Sequence, residues 1–157
     1  MVLASTVGVM KQVLLIALLL LFAGCATAPT QEMSDARQAV SAAQDAGADK
    51  HAPEILKEAE EQLDRAGEEL HKRDFREARR GAVAAKLQAM SAQEMTLAIG
   101  SAATAVDKAR EHGVLSNETE QVLQQAQQAA SEGDVQTAVR LANEARNMAD
   151  QDLRLEE

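Results

Sequence analysis

Beyond residue 33, apolar side chains recur at three- and four-residue intervals, and no segment alternates apolar with polar as a half-buried strand would. The pattern predicts an all-α chain, with antiparallel helical hairpins forming a bundle around one long central helix. The first helix is expected from Ser34 to Ala46, where Gly47 stops it. A second opens at Pro53, a favoured first helical residue, and runs to about Lys72. The third follows Asp74, whose carboxylate can cap the free amides, with Glu77 placed for a capping box. No proline interrupts residues 75–111, so one helix of about 55 Å is expected there. Gly81 and Gly100 are its weak points, and a break near Gly100 is the alternative. The fourth helix starts at Asn117, with Glu120 three residues on, and stops at Gly133. The fifth follows Asp134 and runs towards Leu155.

The chain also resembles itself. At an offset of 60, Leu63, Ala66 and Asp74 match Leu123, Ala126 and Asp134, and Ala78, Arg80, Ala82, Ala85 and Ala89 match Ala138, Arg140, Ala142, Ala145 and Ala149. At an offset of 66, Ala39, Val40, Ala43 and Gly47 match Ala105, Val106, Ala109 and Gly113. A helical domain over 34–157, built of two related units at 34–92 and 98–155, is the expectation, with the long helix joining them. Ala78, Ala82, Ala85, Ala89 and Ala92 fall on one stripe, a seam that lets helix axes approach closely. Each methyl contributes far less than a buried Leu or Val. Ile55, Leu56, Leu63, Leu70, Phe75, Leu87, Val122, Leu123, Val135, Val139 and Leu141 are therefore expected to supply most remaining burial.

The amino terminus has a different character. Lys11 precedes an unbroken apolar run from Val13 to Ala23, then Gly24 and Cys25, which is the layout of a secretory signal peptide over 1–24. The run is about half the roughly 20 residues of a spanning helix. Met10-Lys11 reads as a natural start, with Met1 the other choice. Leu21-Phe22-Ala23-Gly24-Cys25 resembles the lipobox of bacterial lipoproteins, with Phe22 where Leu is usual. The resemblance implies cleavage between Gly24 and Cys25 and diacylglycerol on the Cys25 thiol. Ala26 follows, not the Asp that marks inner-membrane retention in that family, so the implied address is the outer membrane, facing the periplasm. A plain signal peptide or a short anchor would use the same residues. Cys25 is the sole cysteine, so no internal disulfide is available to it. Residues 25–33, with Pro29, read as a lipidated tether.

The formal charge of −9, from 16 Lys and Arg against 25 Asp and Glu, argues against nucleic acid as partner. Glu68 and His71 form one Glu-x-x-His, but a di-metal site needs a second; His51 and His112 lack the spacing, so no metal and no cofactor are expected. No Ser-His-Asp set or glycine-rich phosphate loop can be assigned, and an enzyme is not expected. Arg73 to Ala78 and Gly133 to Ala138 resemble the turns of tetratricopeptide-like hairpins, though without the 34-residue period of those repeats. As a whole the chain resembles small bacterial envelope lipoproteins carrying an alanine-rich helical domain of unknown function. The resemblance implies an envelope protein with no established chemistry; the expected role is a membrane-tethered module, held by acyl chains on Cys25, that binds an envelope protein or itself, with its docking surface between Pro53 and Ala92. A carrier of a small ligand or lipid, using a groove between helices, is the alternative. No covalent link to peptidoglycan is expected, because the chain ends Leu155-Glu156-Glu157 and not in Lys.

Overall fold

The computed structural model describes residues 27–155; Gly24, Cys25 and the leader lie outside them. Among the described residues there are six helices and no strand: α1 (Thr30–Asp45), α2 (Ala48–His51), α3 (Pro53–His71), α4 (Phe75–Glu111), α5 (Asn117–Ser131) and α6 (Val135–Arg154). The fold is an all-α bundle with α4 as its spine. Glu32 and Asp35 of α1 meet Arg79 and Lys86 of α4, so these two helices run the same way, and α3 returns against both. Helices α5 and α6 repeat the arrangement on the upper half of α4. One core runs from Val40 through Met95, Ile99 and Val106 to Ala149, and a smaller one joins Met33, Ala36, Ala66, Ala82 and Ala85 at the lower end.

The helix ends follow from local chemistry. Asp74 and Asp134 each accept a hydrogen bond from the amide three residues on, at 3.1 Å. Glu77 does not complete the expected box: it pairs with Arg80, and the Asp74 amide donates to the Glu69 carbonyl. At the other ends, the amides of Arg73, Gly113 and Gly133 close back onto Leu70, Arg110 and Ala130 in Schellman turns. Each of those three residues has positive φ, which Arg73 alone adopts with a side chain.

Several boundaries differ from the sequence reading. Helix α1 begins at Thr30, because Met33 finds a pocket among Ala66, Ala82 and Ala85, so the tether expected over 25–33 ends earlier. Helix α5 does begin at Asn117, as expected, with Ser116 as its cap, the hydroxyl accepting from the Thr119 amide. The short α2 was not foreseen. Helix α4 is continuous through Gly100, whose missing Cβ faces open space. Gly81 is a contact instead of a weakness, since a Cβ there would lie 3.0 Å from that of Ala66. Leu87, expected in the core, is 59% exposed, because the alanine stripe takes the buried face and leaves Leu87 on the opposite one.

Candidate functional site

Helix α4 carries its alanines inward. Ala78, Ala82, Ala85, Ala89 and Ala92 are fully buried against α1 and α3. Its outward face carries Val83, Leu87, Met90 and Leu97, which are 43%, 59%, 50% and 56% exposed, while its fully buried large residues, Met95, Ile99 and Val106, begin further up. Over the alanine stripe the distribution is therefore the reverse of an ordinary amphipathic helix. The spacing of these four, with Glu94 in the gap, follows the three-four rhythm of a coiled-coil seam over about 21 Å. Small residues (Ala84, Ser91 and Ala98) flank the stripe, so a second helix can approach closely. Hydrophobicity alone hid this surface in the sequence. The clue available there was that Leu87 falls off the register of the alanines.

A second feature is the turn between α3 and α4. Lys72, Arg73 and Arg76 are exposed there, with Asp74 engaged as a cap. Lys72 pairs with Glu69 at 2.8 Å, and that bond raises its pKa. Arg79 lies just above, its Nε donating to Glu32 at 2.6 Å and its Nη2 to the Thr27 carbonyl at 3.2 Å. The chain therefore enters the fold beside this turn.

Two further places hold polar groups. A cleft of about 340 Å³ lies where α2 and α3 meet α5, lined by Lys50, His51, Glu54, Ile99, Gln127 and Ser131. At the top, Asp152 accepts from the Ser116 amide at 3.1 Å and from the Thr119 hydroxyl at 2.8 Å, which ties the start of α5 to the end of α6. Burial would raise the Asp152 pKa, but these donors outweigh it and hold the carboxyl below its ordinary value. Glu68 and His71 are both exposed near the lower end of α3, far along the chain from His51 and His112. Among the described residues no three His, Cys, Asp or Glu come together as metal ligands, and no helix is long and apolar enough to cross a membrane.

Residues 31–109 match the family described as a domain of unknown function, DUF4398. The chain belongs to the DUF4398 family. The matched DUF4398 segment runs from α1 to near the end of α4, so it contains both the apolar stripe and the α3–α4 turn, while α5 and α6 lie beyond it. No curated protein and no solved structure matches the chain.

Proposed function

We propose that this DUF4398 protein is a lipid-anchored interaction module of the bacterial envelope, without catalytic activity, that self-associates through the outward face of α4. The exposed stripe of Val83, Leu87, Met90 and Leu97 carries the reading. Each such side chain gains roughly 1.5–3 kcal/mol on full burial. The stripe is self-complementary about Met90: an antiparallel second copy places Val83 level with the partner's Leu97. One helix face is smaller than the roughly 800 Å² per partner of a stable complex, so the contact is weak in free solution. Confinement to a membrane supplies the missing effective concentration.

That confinement is the role assigned to Cys25, cleaved from Gly24 and acylated as the lipobox resemblance implies. Two or three acyl chains, at roughly 0.8 kcal/mol per buried methylene, hold a protein at a bilayer almost permanently. Ala26 supports the outer membrane, facing the periplasm, as the address. The carrier alternative draws less support, since the cleft near His51 is half-open to solvent and charged groups, Lys50 and Glu54, stand in its lining.

The test is a photo-crosslinker in place of Leu87 in the full-length chain, expressed in a Gram-negative bacterium. A product at twice the mass, lost when Leu97→Gln is added, is expected. An adduct with a different envelope protein replaces the second copy by that partner, and no adduct overturns the stripe as a contact. Intact-mass measurement reads the anchor separately: an unmodified Cys25 thiol or a retained leader rejects it.

A further inference from the structure

The two repeated units differ in length at one place. Gly47 and Leu63 match Gly113 and Leu123, yet the first pair is 16 residues apart and the second 10. The additional residues are spent on α2, which has no counterpart after Gly113, where the chain passes straight to the Ser116 cap of α5. Insertions in a repeat project from one face and often build its binding surface. Here α2 forms one wall of the cleft of about 340 Å³, through Lys50 and His51, and Glu54 of α3 and Gln127 of α5 stand in the same lining. Ile99 and Ala130, both buried, supply its apolar surface. Lys50 and Glu54 have opposite charges at the spacing of a helical ion pair, but Ala52 between them is non-helical, and they do not pair. Among the described residues the side chains of Lys50, His51, Glu54 and Gln127 make no hydrogen bond or ion pair.

We propose that this cleft binds a short free peptide, of two or three residues, by both of its charged ends. The Lys50 ammonium takes the carboxylate and the Glu54 carboxylate takes the terminal ammonium. The Gln127 carboxamide, which both donates and accepts, suits the peptide bond between them. Pro53, Ile99 and Ala130 offer contact to a small aliphatic side chain. The volume is at the lower end of the range for small-molecule sites, too small for a lipid and sufficient for a few residues of peptide. A ligand with a single charge leaves the opposite group of the cleft unmatched, so the charges that disfavour an apolar cargo select a molecule bearing both signs. None of the stripe residues of α4 lines the cleft, so this site stands whether or not the chain self-associates.

The experiment titrates the full-length chain, isotopically labelled and held in detergent, with L-alanyl-L-leucine, its N-acetyl form and its C-terminal amide, and follows backbone amide shifts by NMR. A dipeptide of about 14 non-hydrogen atoms, at the efficiency of an ordinary small ligand, gives a dissociation constant of about 1 mM. Shifts are expected at residues 48–54 and 127–131, with each blocked peptide weaker by about fivefold, the upper end for a partly exposed ion pair. Lys50→Gln weakens the free dipeptide to the same extent and leaves the C-terminal amide unchanged. Glu54→Gln does the same for the N-acetyl form, so the two cycles assign each end of the ligand. Both side chains are exposed, so the variants keep the fold. Equal binding of the three peptides overturns recognition of the charged ends, and shifts confined to other residues overturn the site. No shift by about 20 mM overturns binding altogether.

Discussion

The turns at Arg73 and Gly133 have the same backbone, the same Schellman closure and the same aspartate cap, yet they sit in differently built halves. In the lower half, Gly81 meets Ala66, so the backbones of α3 and α4 approach closely at that level. Sixty residues on, the corresponding positions are Leu141 and Ala126, and Leu141 is only partly buried. The lower half is held by close approach and by cross-helix ion pairs at Arg79 and Lys86. The upper half, whose outer helices bury alanines around Leu123, is held in addition by a polar knot at Asp152. Two ways of joining three helices thus share one spine, and each fails for its own reason.

The largest effect is expected where the approach is closest. Gly81→Leu copies the upper unit into the lower one and forces α3 away from α4. Overpacking of this kind costs up to about 3 kcal/mol. Even Gly81→Ala, which gains helix propensity, places a Cβ 3.0 Å from a methyl that has no rotamer to escape into. Chemical denaturation of the two variants checks this. A Gly81→Leu protein as stable as the parent would mean the two halves pack alike.

Next is the knot. Asp152→Ala leaves the Ser116 amide and the Thr119 hydroxyl without their acceptor, a loss of roughly 1–3 kcal/mol for groups shielded from water. Its pH signature has a definite sign. The folded carboxyl titrates below its unfolded value, so the stabilisation is fully present above about pH 4 and is lost as pH falls through the lower, folded pKa. Melting temperatures of parent and variant should differ at pH 7 and converge in strong acid. Glu32, Asp35 and Asp134 are lowered as well: Glu32 chiefly by a backbone hydrogen bond, Asp35 by Lys86, and Asp134 by the Thr137 amide. The parent protein should therefore lose stability on acidification even without the knot.

These sites show what a sequence discloses and what it withholds. Asp74, Asp134, Pro53 and the glycines at 47, 113 and 133 announce themselves, because caps and left-handed turns are decided within a few residues. The alanine stripe was legible for the same reason, as a period along one helix. What escaped is non-local. Asp152 finds Thr119 from 33 residues away, and Met33 is buried only because Ala66, Ala82 and Ala85 happen to surround it. Leu87 was misread because its chemistry suggested a core and its register did not. The close contact at Gly81 cannot be told from a helix defect until the neighbouring helix is in place.

A smaller effect comes from exchanging the residues at the two turns. Arg73 holds φ at +64°, a conformation that costs a residue with a side chain roughly 1–2 kcal/mol and costs glycine almost nothing. Arg73→Gly should therefore stabilise the protein by about 1 kcal/mol, and Gly133→Arg should destabilise it by a similar amount. If both changes leave the melting temperature unmoved, the turns are not equivalent in strain.

The smallest effect belongs to the other glycine of α4. Gly100 is helical and a Cβ built there meets no atom within 4 Å, the reverse of Gly81 on the same helix. Alanine replaces a residue whose unfolded chain is freer and whose helical backbone is more exposed, a gain of about 0.5–1 kcal/mol. Gly100→Ala should raise the denaturation midpoint without changing its slope, since no surface is newly buried. The spine joins the two halves at this level, so the variant also measures their coupling. If stiffening Gly100 raises the stability of the upper helices and leaves amide exchange in α1 and α3 unchanged, the halves open independently. If protection rises throughout, the core that runs from Val40 to Ala149 unfolds as one unit, and the contrast between close approach and polar knot is a difference of construction within a single cooperative rod.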